Sequence, residues 1–111
     1  MGKLKFLKTD RDFASFKASK LFTGKFLKIR VRYQPHQNPT RFGFIVPKKV
    51  LPKVVDRNLI KRRIKSILIA SLDQLRPVEI LFFPEKQSVK QTFSQLSEEV
   101  KDLFTKAKLW K

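Results

Sequence analysis

Residues 56–65 read Asp56-Arg57-Asn58-Leu59-Ile60-Lys61-Arg62-Arg63-Ile64-Lys65. Five of these ten residues are cationic, yet Ile60 and Ile64 stand one helical turn apart. Ile67, Leu68, Leu72 and Leu75 extend the same stripe. Apolar residues at that interval predict a helix laid on an apolar surface, not a disordered basic tail. The helix is expected from about Asp56 to Leu75, closed by Pro77.

The neighbouring segments supply the surface. Phe26 to Tyr33 alternates, with Leu27, Ile29, Val31 and Tyr33 on one side and Phe26, Lys28, Arg30 and Arg32 on the other. This is a strand with a buried face and a basic face. Gln34 to Thr40, with Pro35 and Pro39, reads as a turn. Arg41 to Val46 is a second strand, with Phe42, Phe44 and Val46 to one side and Pro47 ending its pairing. A short strand around Leu21 to Thr23 is also compatible with the pattern. Val78 to Phe83 reads as a buried strand stopped by Pro84.

Two further helices are expected. One runs from Thr9 to about Leu21, with Asp10 and Asp12 suiting its N-terminal dipole. The last runs from Ser88 to about Lys108, with Ser88 and Gln91 at capping-box spacing and Phe93, Leu96, Val100, Leu103 and Phe104 facing the core. A whole helix separates the strands at 41–46 and 78–83, so these can pair in parallel. The fold class is α+β, one domain over 1–111, with a mixed sheet of about four strands packed with three helices.

Composition narrows the function. The chain of 111 residues carries 26 Lys and Arg against 9 Asp and Glu, a net charge of +17. That much like charge opposes compaction and calls for a polyanionic partner. There is no Cys, so disulfides and thiolate metal sites are excluded, which fits a cytoplasmic protein. Met1 to Leu7 has no long apolar run, so no signal peptide is expected, and Ile80 to Phe83 is too short to span a bilayer.

Arg57, Asn58, Lys61, Arg62, Arg63 and Lys65 form a candidate phosphate-binding helix face, and Lys48, Lys49 and Lys53 extend it into the preceding loop. An ordinary solvated helix face usually mixes signs, and this one does not. Phe13 and Phe16 fit either core packing or base stacking, and spacing alone favours the core; Trp110 shares that ambiguity. His36, the single His, reads as a surface turn residue. Glu98, Glu99 and Asp102 are the one acidic cluster, and a solvated helix face explains them better than a Mg²⁺ site. No carboxylate or His constellation suits a protein nuclease. These residues describe an RNA binder without its own catalytic centre.

The run Arg41-Phe42-Gly43-Phe44-Ile45-Val46-Pro47-Lys48-Lys49, a loop, then Arg57-Asn58-Leu59-Ile60-Lys61-Arg62 resembles the bacterial ribonuclease P protein subunit. Asp12-Phe13, the strand at 78–83 and Leu109-Trp110-Lys111 also fall where that family has similar features. The resemblance implies a fold like domain 2 of ribosomal protein S5 with a left-handed parallel crossover. It implies an enzyme whose chemistry is carried by a Mg²⁺-dependent catalytic RNA, with no protein catalytic residue and no cofactor on the protein alone. Its implied partners are that RNA and precursor tRNA, with no membrane and no DNA. The resemblance assigns Lys48, Lys49, Arg57, Asn58, Lys61, Arg62 and Lys65 to the catalytic RNA. It shifts Phe13, Phe16 and Trp110 towards a cleft for the 5′ leader, where Lys28 and Arg30 are further candidates.

The chain departs from the family pattern where Leu59 replaces the third residue of Arg-Asn-Arg and Arg63 replaces an apolar residue. Positions 59 and 63 are one turn apart, so Arg63 is expected to take over the missing phosphate contact. The Phe13 to Phe16 spacing of three, where the family often has four, is a second departure. The competing readings are a structural RNA-binding protein of the ribosome and a nonspecific DNA or membrane-surface binder.

Overall fold

The computed structural model describes the backbone of residues 4–6 and the whole of residues 20–33 and 40–110. One five-stranded sheet runs β1-β4-β5-β3-β2, where β1 is Leu4–Phe6, β2 Lys20–Thr23, β3 Leu27–Tyr33, β4 Thr40–Phe44 and β5 Val78–Pro84. Helix α1, Val54–Ser71, crosses from β4 to β5, and these strands pair in parallel with Phe42 opposite Ile80 and Phe44 opposite Phe82. Strand β3 lies antiparallel to β5 and to β2. Helix α2, Phe93–Lys106, follows a 3-10 turn at Lys86–Lys90.

Both helices cover one sheet face. Leu27, Ile29 and Val31 of β3, Phe42 of β4, and Val78, Ile80 and Phe82 of β5 meet Ile60, Ile64, Ile67 and Leu68 of α1 and Leu96, Val100, Leu103 and Phe104 of α2. Each fully buried aliphatic side chain contributes about 1.5–3 kcal/mol. Like-charged pairs on α1, such as Arg57 with Lys61 and Lys61 with Lys65, each cost only about 0.2–0.5 kcal/mol. Packing therefore outweighs repulsion, and the helix tolerates a cationic outer side.

Glu99 of α2 fastens the β2–β3 turn to this core. Its carboxylate, nearly buried, accepts the backbone N–H groups of Lys25 at 2.7 Å, Phe26 at 2.5 Å and Leu27 at 3.0 Å. Gly24 is needed beside it, because a Cβ there would lie 2.8 Å from the Glu99 carboxyl carbon.

Several expectations are corrected. The sheet has five strands, because Leu4–Phe6 pairs with β4 and is too short to show alternation. Lys20 and Leu21 belong to β2, not to the first helix, whose remaining residues 9–19 lie outside the described ones. The central helix starts two residues earlier than expected and gives way at Leu72–Gln74 to a 3-10 turn. The last helix starts at Phe93, capped by Thr92 and Gln95, whose side chains each accept from the other's backbone N–H. Ser88 instead donates its hydroxyl to the Glu85 carbonyl. Phe93, expected in the core, is instead the first residue of the helix and is 48% exposed. Tyr33 ends β3 half out of the core, its hydroxyl donating to the Ala107 carbonyl.

Candidate nucleic-acid interface

The buried stripe of α1 fixes which of its side chains reach solvent. Asn58, Arg62 and Lys65 are exposed, and Lys61 is half-buried at the flank. Arg57 turns back: its Nη1 donates to the carbonyls of Leu51 at 2.8 Å and Pro52 at 2.9 Å. It thereby clamps the β4–α1 loop that carries Lys48, Lys49 and Lys53, all exposed. Buried Leu51 and the turn bonds from Val50 and Leu51 N–H to the Pro47 carbonyl hold the same loop from inside. The N-cap residue Lys53 makes no side-chain cap bond, so the positive end of the helix sits among lysines. Arg63 also turns inward in part, donating from Nη1 to the Gln91 carbonyl at 3.1 Å. It ties α1 to the segment entering α2, and one of its five N–H donors is spent there.

A second basic surface lies across the sheet. Residues paired in register share a face, so Leu21 with Arg30 and Lys28 with Phe83 face away from the helices. Leu81, Ile45 and Phe83 form a small apolar cluster there, separate from the main core. Beside it is a groove of about 530 Å³. Its apolar lining includes Leu21, Ile45, Val50 and Phe83, and its charged lining is Lys28, Arg30, Lys49, Lys86 and Glu85. Lys49 belongs both to this groove and to the loop before α1, so the two basic surfaces meet at that loop. Cations around an apolar and aromatic wall suit an unpaired strand, whose bases stack while its phosphates are neutralised.

The structure brings Lys28 and Arg30 into this groove but not Trp110. The Trp110 ring packs edge-on against Phe104 at 5.7 Å, its Nε1 donates to Thr105 Oγ1, and its backbone bridges Leu75. Trp110 therefore closes the helix-covered core, on the other side of the sheet. Phe13, Phe16 and His36 lie outside the described residues. Phe83, Ile45, Leu21, Glu85 and Lys86 were missed. For Phe83 the signal existed: Val78, Ile80 and Phe82 alternate with Glu79, Leu81 and Phe83, and a strand read as wholly buried conceals a second face.

The acids serve the scaffold or pair with cations. Buried Glu79 holds Arg41 at 3.2 Å and Arg32 at 3.6 Å on the face shared with the groove. Glu98 and Asp102 are exposed on α2, flanking Glu99 in its backbone cradle. Among the described residues no group of three or more His, Cys, Asp or Glu could hold a metal ion, and no helix is long and apolar enough to cross a membrane.

The solved structures similar to this fold include the ribonuclease P proteins of Staphylococcus aureus and Thermotoga maritima. The first superposes with a TM-score of 0.86 at 20% identity, over 98% of this chain and 100% of that one. The second has a TM-score of 0.80 at 21% identity, over 92% and 96%. In sequence, the ribonuclease P protein component of Clostridium kluyveri is 34% identical, covering 88% of each chain. That of Pseudanabaena sp. is 29% identical, covering 93% of this chain and 90% of its own. The family profile described as ribonuclease P matches residues 1–108, and the chain therefore belongs to the ribonuclease P protein family.

Proposed function

We propose that this chain is the protein subunit of ribonuclease P, binding the catalytic RNA through α1 and its preceding loop. The groove across the sheet then holds the 5′ leader of precursor tRNA, and the RNA cuts the leader away to give the mature 5′ end. The observation that carries this reading is the pair of unlike basic surfaces meeting at Lys49. One is a helix face of cations, suited to the phosphates of folded RNA. The other is an apolar groove rimmed by cations, suited to a single strand.

The chemistry belongs to the RNA in this reading. Among the described acids, Glu99 is taken up by backbone N–H groups, Glu79 by Arg32 and Arg41, and Glu85 by Lys28, and Mg²⁺ is in this reading a requirement of the RNA. The protein contributes charge and position, lowering the Mg²⁺ needed to hold two polyanions together. The test is cleavage of precursor tRNA at low Mg²⁺ by the cognate catalytic RNA, with and without this chain. The expected result is correct 5′ cleavage that rises strongly on adding the chain, with none by the chain alone. Tight RNA binding without enhanced cleavage would instead assign it a purely structural role, as in a ribosomal protein.

A further inference from the structure

We infer that Glu85 and Lys28 form a base-reading pair that selects a guanine in the single strand lying in the groove. The inference rests on the functional reading above and adds a sequence preference to it.

The starting point is an acid where phosphates are expected. Among the described residues lining the groove, Glu85 is the one carboxylate, against Lys28, Arg30, Lys49 and Lys86. A carboxylate there weakens the attraction for a phosphate chain, so this part of the groove is not a plain phosphate track. Nor does the carboxylate serve stability. Its Oε1 lies 3.6 Å from Lys28 Nζ, with the two side chains 42% and 43% exposed, and such a pair contributes little to folding. The backbone of Glu85, by contrast, is firmly held. Its N–H donates to the Phe26 carbonyl at 2.9 Å, and its carbonyl accepts from Ser88 N–H at 3.0 Å and Ser88 Oγ at 2.6 Å. The carboxylate is thus an exposed acceptor on a fixed stem.

Its surroundings suit a base. Phe83 lies directly across from Lys28 in the β3–β5 register and two residues before Glu85, and all three line the groove. A base stacked on the Phe83 ring brings its edge to the Glu85–Lys28 pair. That pair offers two carboxylate acceptors and one ammonium donor. The Watson–Crick edge of guanine offers the complement in order: the N2 amino group and N1–H as donors, then O6 as acceptor. All three bonds can form together. Adenine and cytosine each match one donor and one acceptor. Uracil matches its N3–H but sets a carbonyl against the second carboxylate oxygen. Guanine therefore ranks first and uracil last.

The experiment uses the complete ribonucleoprotein, with a precursor-tRNA pool randomised through its leader, and sequences the molecules cleaved early. The expected result is a protein-dependent enrichment of guanine at one leader position, about five- to tenfold over uracil, the lower range for a two-bond base contact at a partly exposed site. Glu85→Gln keeps the side-chain shape but turns one acceptor into a donor, and the enrichment should fall below about twofold. Lys28→Ala should reduce it by a smaller factor, since one bond of three is lost. A pool cleaved faster with the protein but without base bias overturns the inference alone, as does a guanine bias that Glu85→Gln leaves intact. A pool cleaved no faster with the protein than without overturns the functional reading, and the inference with it.

Discussion

Helix α1 and the groove carry the same sign of charge but differ in what holds it. On α1 the exposed residues Asn58, Arg62 and Lys65 stand on a stripe of buried isoleucines and leucine, while Arg57 and Arg63 are partly spent on backbone carbonyls. In the groove, cations rim an apolar wall that includes Phe83, and one acid sits among them. An arrangement of the first kind suits phosphates and is blind to sequence, whereas one of the second kind also offers a wall on which bases can stack. A single net charge of +17 therefore conceals two kinds of surface, and only the packing behind the charges separates them.

The largest expected effect comes from breaking the groove's support while leaving α1 alone. Glu99 holds the turn between β2 and β3, the strands that supply Leu21, Lys28 and Arg30 to the groove. Glu99→Ala leaves three backbone donors without their carboxylate. Hydrogen bonds to charged groups contribute about 1.5–3 kcal/mol each, so a loss of roughly 3 kcal/mol or more is expected. Thermal unfolding should show Tm falling by about 12 °C or more. Below the new Tm, leader binding should weaken more than catalytic-RNA binding. Equal loss of both would mean that the surfaces are not separable.

Next in size is the converse change. Replacing Arg62 and Lys65 by Ala removes two exposed cations from the outer side of the helix. Catalytic-RNA affinity should fall by about tenfold or more, and the slope of log K against log salt should become shallower by roughly two. Tm should stay within about 2–4 °C, as expected for surface changes of about 0.5 kcal/mol. Base preference in the leader should be unchanged. An unchanged salt slope would remove α1 from the RNA interface.

Arg57 tests the loop that joins the two surfaces. Arg57→Lys keeps the charge but lacks the planar fork, so one ammonium must replace a guanidinium bridging two carbonyls. A stability loss of about 1 kcal/mol is expected, with a larger loss for Arg57→Ala. Because Lys49 rides on the clamped loop and also lines the groove, both RNA affinities should fall modestly. A change confined to the catalytic RNA would show that Arg57 contacts that RNA directly and that the clamp is incidental.

These contrasts show what the chain's pattern disclosed. Ile60, Ile64, Ile67 and Leu68 are read correctly from spacing because burial is periodic. Leu27, Ile29 and Val31 are read correctly for the same reason. The parallel pairing of β4 with β5 follows from the length of the crossover. What spacing does not encode is the direction of a long polar side chain. Arg57 folds back onto the loop, and Glu99 turns into a backbone cradle instead of joining Glu98 and Asp102 on the outer face. Local rivals also escape it: Ser88-Gln91 and Thr92-Gln95 have the same capping-box spacing, and the 3-10 turn decides between them. The groove is half legible, since alternation in β3 predicts its basic face, whereas the apolar run of β5 reads as wholly buried and hides the face that carries Phe83.

Arg63 carries the smallest and sharpest test. The exchange of charge with Leu59 suggests that its guanidinium replaces a phosphate contact, whereas the bond to the Gln91 carbonyl makes it a strut between α1 and α2. The two roles differ in what salt does to them. A phosphate contact released on mutation makes the salt slope shallower by roughly 0.7–0.9, whereas loss of an internal strut leaves the slope alone. A strut to a carbonyl contributes about 1 kcal/mol, so Tm should fall by roughly 4–8 °C when it is lost. The guanidinium has donors enough for both, so Arg63→Ala is expected to lower Tm and also to make the slope shallower, by as much as Arg62→Ala does alone. A lower Tm with an unchanged slope would leave Arg63 as a strut and assign the charge exchange with Leu59 to packing.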